Sequence, residues 1–101
     1  MIKIGNVKLG DEGEYCGRPS PLGNPFHMHG NREYVCDMYD KYLYKKIEEG
    51  DEAILNELTR LDILHRNKGE LTLLCFCAPL RCHCESIKKV LEDGLFIQQK
   101  S

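Results

Sequence analysis

The sequence has 101 residues, 42% hydrophobic and 30% charged, a balance that suits one small soluble domain and is too short for a second core. With 14 Lys and Arg against 16 Asp and Glu, the net charge of -2 excludes a chain-wide basic field, so nucleic acid is not an expected partner. No apolar run approaches the ~18 residues that span a bilayer, and the first residues lack a basic segment followed by an apolar one, so the expectation is a cytoplasmic protein without membrane contact.

In chain order, Ile2, Ile4, Val7 and Leu9 alternate about Gly5-Asn6, which predicts a short strand or hairpin, and Tyr15-Cys16-Gly17 continues the sheet. The segment from Arg18 to Phe26 carries Pro19, Pro21, Pro25 and Gly23. Proline fixes its own φ and biases the residue before it, so a rigid loop anchored by Leu22 and Phe26 is expected. Asn31 is a plausible N-cap for a helix whose apolar stripe runs through Val35, Met38, Tyr39, Tyr42, Leu43 and Ile47 to Gly50. The tyrosines of that helix are spaced for core packing rather than base stacking. Asp51 caps a second helix with Ile54, Leu58, Leu61 and Leu64 on one face, ending at Gly69. Glu70 to Cys77, apolar and bounded by Gly69 and Pro79, predicts a buried central strand, and Ile87, Val90 and Leu91 define a last helix that stops at Gly94. The order β, β, α, α, β, α implies a single α/β domain over 1–101, a small Rossmann-like sheet flanked by helices, with parallel pairing wherever a helix joins two strands.

The six cysteines of a chain without an export signal read as thiols or metal ligands rather than as disulfides. Cys75-x-Cys77 leaves the strand with both thiols on one face. Cys82, His83 and Cys84 follow at an expected helix amino terminus, where N–H groups and the dipole favour thiolates and bound anions. Three readings stay open. Zinc needs four tetrahedral ligands, for which Cys75, Cys77, Cys82 and Cys84 are the candidate set with His83 beside them. The thiols also suit small apolar core positions, or reactive chemistry with Cys77 and Cys82 as nucleophiles. His83-Cys84-Glu85 spells H-x-E, yet the P-C-x-x-C of the zinc deaminases does not follow, which sets that chemistry aside. His27 and His29 read as solvated loop histidines, Cys16 and Cys36 as structural.

Two segments together, Gly17-Arg18-Pro19-Ser20-Pro21-Leu22-Gly23-Asn24-Pro25-Phe26 and Leu74-Cys75-Phe76-Cys77-Ala78-Pro79-Leu80-Arg81-Cys82-His83, resemble domain-of-unknown-function family 4326. That family comprises small phage and bacterial proteins in which a G-R-x-S-P-L-G-N-P-F loop pairs with a later C-x-C-x-P-x-x-C-H segment. The resemblance runs from Tyr15 to Leu91 and includes the basic residue, Arg32, that opens the intervening helix. Where the family usually has Gly-Asp after the C-H pair, this chain has Cys84-Glu85. The resemblance implies a Rossmann-type relative of nucleotide-binding proteins. Since ligands of open α/β sheets gather beyond the carboxyl ends of the strands, both segments are expected to share one pocket. Arg18 and Arg32 would clamp a phosphate, Ser20 and Asn24 would bond sugar or base, His83 would line the site, and Glu85 would accept from a ribose hydroxyl or act as general base.

The leading expectation is therefore a protein that binds, with or without processing, a nucleotide or nucleotide-derived ligand. The alternatives are a zinc-stabilised interaction module of phage or bacterial origin, acting in the host cytoplasm if phage-encoded, and a thiol-dependent redox or transfer enzyme. A homodimer is compatible with the aromatic helix faces.

Overall fold

A computed structural model describes residues 2–17, 20–26, 31–75 and 83–94. Strand β1 (Ile2–Asn6) leads through a 3-10 turn (Val7–Leu9) to a two-residue β2 (Glu14–Tyr15). Helices α1 (Arg32–Glu49) and α2 (Glu52–Lys68) follow, then β3 (Leu71–Cys75) and α3 (Cys84–Asp93). The three strands form one sheet in the order β1-β3-β2. Ile2 lies opposite Leu71 and Asn6 opposite Cys75, while Glu14 and Tyr15 lie opposite Leu73 and Leu74, all in parallel register.

The residues at the predicted boundaries carry out the predicted tasks. The Asn31 side chain accepts the Tyr34 N–H at 3.1 Å to open α1, and the Asp51 side chain accepts the Ile54 N–H at 3.1 Å to open α2. Gly50 at φ 77 and Gly69 at φ 76 close these helices in the left-handed region. The helices bury Tyr39, Leu43, Ile47, Ile54, Leu58, Leu61, Ile87 and Val90 in one cluster with Leu71, Leu73 and Cys75 of β3. Because alternate side chains of a strand point to opposite faces, all three helices cover the same face of the sheet. Exposed Arg60 of α2 bonds Glu14 of β2 at 2.9 Å, a link that contributes at most about 1 kcal/mol. Among the described residues no helix is long and apolar enough to cross a membrane.

The start of the chain takes one of its two expected forms. Alternation at Ile2, Ile4, Val7 and Leu9 suggested a short strand or a hairpin, and the strand is what forms: β1 stops at Asn6 and pairs with β3. Asn6 Oδ1 accepts the Lys8 N–H at 2.8 Å and starts the 3-10 turn, so Val7 and Leu9 leave the ladder and stand exposed. Residues 7–13 then cross β3 on the face opposite the helices. The Asp11 carboxylate accepts the Asn6 N–H at 2.8 Å, and Gly13 lies against the Thr72 backbone so closely that a Cβ would collide with the Thr72 carbonyl oxygen. Only glycine allows this approach.

Gly13→Ala is therefore expected to lower stability by about 1–3 kcal/mol, because the obstruction is backbone and cannot rotate away. Urea unfolding read by circular dichroism checks it, and an unchanged midpoint would show that the crossing tolerates a side chain.

Candidate functional site

Parallel pairing brings the carboxyl ends of all three strands to one edge, and the motif segments emerge there. Beyond β2, the Cys16 N–H still bonds the Leu74 carbonyl at 3.1 Å, so pairing runs one residue past the strand and buries Cys16 completely. The described part of the proline-rich loop, residues 20–26, is tied by its own turns. Ser20 N–H donates to the Gly17 carbonyl and Gly23 N–H to the Ser20 carbonyl, each at 2.8 Å. Ser20 Oγ accepts from Leu22 N–H at 3.2 Å, and Asn24 Oδ1 accepts from Phe26 N–H at 2.9 Å. Leu22 is fully buried and Phe26 meets the Tyr42 ring edge-on at 5.8 Å.

Two rings hold this loop to the helices. The Tyr39 hydroxyl donates to the Leu22 carbonyl at 2.8 Å, and the His83 Nε2–H donates to the Cys16 carbonyl at 2.7 Å. The two rings touch in an edge arrangement, with centroids 5.1 Å apart at 71°. Burial pushes the Tyr39 hydroxyl well above its usual pKa of 10.0, with Cys84, Cys16 and Tyr42 adding to the shift, so it stays a neutral donor. Burial also holds His83 below its usual 6.5, against the opposing effects of the bond to Cys16 and of nearby Cys75. A carbonyl only accepts, so Nε2 carries the hydrogen and a neutral ring keeps its lone pair on Nδ1.

His83 is also the residue before α3, with φ -61 and ψ -21, and its side chain makes no capping bond. Its carbonyl receives the Ser86 N–H at 3.1 Å and the Ile87 N–H at 3.3 Å, leaving the Glu85 N–H with no acceptor inside the helix. The amino terminus of α3, where the dipole is positive, thus begins beyond the carboxyl edge of the sheet.

The sequence candidates are distributed as follows. His83 is buried against Cys16 and Tyr39, and Glu85 is exposed in the first turn of α3. Ser20 and Asn24 hold the loop's turns. Arg32, half-buried, opens α1 two turns before Tyr39. The Cys75 thiol donates to the Gly5 carbonyl and the Cys84 thiol to the Leu74 carbonyl, each at 3.7 Å, while the Cys16 thiol donates to the Glu14 carbonyl at 3.4 Å. Cys16, Cys36, Cys75 and Cys84 are all buried. Among the described residues no group of three His, Cys, Asp or Glu is arranged to hold a metal. Arg18, Cys77, Cys82, His27 and His29 lie outside the described residues. Sequence reasoning missed the hydroxyl of Tyr39, which it took for core packing; the available signal was that a tyrosine on a core face must find an acceptor for its O–H.

The family model for a domain of unknown function, DUF4326, matches residues 3–93. The chain belongs to the DUF4326 family. No curated protein and no solved structure matches it. The family match thus spans every described strand and helix from Lys3 onward, the buried ring pair among them.

The depressed His83 pKa sets a pH dependence. Near pH 6.5 the unfolded chain takes up a proton that the folded chain resists, so stability is full above that pH and falls as pH drops through it. The urea midpoint of the native sequence is expected to fall more between about pH 7.5 and about pH 5.5 than that of His83→Gln. Equal slopes would show that the imidazole is not held neutral.

Proposed function

We propose that this chain binds a nucleotide or nucleotide-derived ligand at the carboxyl edge of its parallel sheet, with the phosphate on the amino terminus of α3. The observation that carries the reading is that α3 opens beyond that edge with no capping bond from the side chain of its N-cap residue, His83. Ligands of parallel α/β sheets collect at this edge, and first-turn N–H groups at the positive end of the dipole suit an anion. A parallel strand followed by such a helix is also the sense in which the domain is Rossmann-like.

Arg18 and Arg32 supply cationic partners for the phosphate. The oxygens of Ser20 and Asn24 are engaged with loop N–H groups, so these residues offer the ligand their own donors, the Ser20 hydroxyl and the Asn24 amide. Glu85 accepts from ligand hydroxyls. The reading assigns binding and no reaction.

Ligand binding to the folded state raises stability by about 2.7 kcal/mol at a hundredfold excess over Kd, a clear rise in melting temperature. We expect such a rise with ribonucleoside monophosphates, a smaller one with inorganic phosphate, and its loss in Arg18→Ala and Arg32→Ala. No shift with any nucleotide would overturn the reading.

A second reading, zinc in a small interaction module, is favoured by the His83 tautomer. Metal-ligating histidines commonly donate their other ring N–H to a backbone carbonyl, as Nε2 does here, and Nδ1 then has the free lone pair. Cys77 and Cys82 are its candidate thiolate partners, with Cys75 and Cys84 joining only by giving up their bonds to backbone carbonyls. On this reading the purified protein carries about one zinc per chain and melts lower after chelation. A metal-free protein with an unchanged melting temperature would exclude it.

A further inference from the structure

Between α1 and α3, Asp40, Glu85, Ser86 and Lys89 line a depression of about 230 Å3. Whole ligand pockets usually run from about 300 to about 1,000 Å3, so this one suits a part of a ligand. Glu85, Ser86 and Lys89 stand at i, i+1 and i+4 on α3, with Asp40 facing them from α1. Ser86 is only 8% exposed and belongs to the wall of the depression.

We infer that this depression is a hydroxyl-recognising subsite that takes the vicinal diol of a ribosyl group. The inference rests on the nucleotide reading above and adds to it Asp40, Ser86 and Lys89. A sugar hydroxyl both donates and accepts, and the wall offers both functions: two carboxylates that accept, and an ammonium and a hydroxyl that donate. Two negative charges against one positive disfavour an anion here, which leaves the phosphate to the helix terminus. Lys89 disfavours a bare cation, and among the described residues no metal-holding group of three His, Cys, Asp or Glu exists. Glu85 and Ser86 belong to the first turn of α3, so the subsite adjoins the phosphate position within about 5.4 Å, one helical turn.

Isothermal titration with adenosine 5′-monophosphate and its 2′-deoxy counterpart tests the subsite. The native chain is expected to bind the ribo form about 5-fold or more tightly than the deoxy form, the scale of one net hydrogen bond. Asp40→Asn and Glu85→Gln should each bring that ratio towards one by weakening ribo binding more than deoxy binding, an outcome that loss of structure does not produce. Equal binding of the two nucleotides by the native chain, or discrimination that survives both substitutions, would overturn the diol subsite and leave the nucleotide reading standing. Binding of neither nucleotide would overturn both.

Discussion

Strand β3 runs between two strands of the same direction, and that position constrains everything else in the domain. A parallel strand cannot join its neighbours by a hairpin, so its connections must travel back across the sheet and cover it. Here the helical connection covers one face. The other is crossed by the short segment between β1 and β2, whose passage depends on Gly13 lying against Thr72 and on Asp11 closing the Asn6 N–H. Leu73, fully buried on the helical side, and Leu74, buried under the crossing, record the two coverings.

The same parallel arrangement explains why the chemistry of the molecule gathers at one edge. All three strands end there, and the next residues of β2 and the start of α3 meet through the bond from the His83 ring to the Cys16 carbonyl. Tyr39 repeats the device one loop further on, at Leu22. Each ring supplies a neutral donor to a buried carbonyl, and burial itself keeps both rings neutral. The loop is therefore held by polar bonds from Tyr39 and His83 as well as by the apolar anchors Leu22 and Phe26.

Much of this was legible in the sequence because it depends on local chemistry. Asn31 and Asp51 cap helices, Gly50, Gly69 and Gly94 end them, and the apolar run before Cys75 lies in a central strand, as their types and spacing indicated. Turn-forming oxygens at Ser20 and Asn24 follow equally from residue type. Near the amino terminus the sequence left a short strand or a hairpin open, and only the strand forms, because alternation reports which residues prefer a strand and says nothing of which strand they pair with. Of the candidate site, the sequence identified His83 and Glu85 but could not separate their environments, one buried and one exposed.

What the sequence determined by itself was the set of elements, the ends of the helices and the family, since caps and periodicity act over a few residues. Tertiary structure alone decided that β1 and β2 flank β3, that Tyr39 and His83 share the task of holding the loop, and that Asp40 comes to face Glu85 and Ser86. Those facts are set by how separate elements pack, and the spacing of residues along one element carries no information about the distance to another.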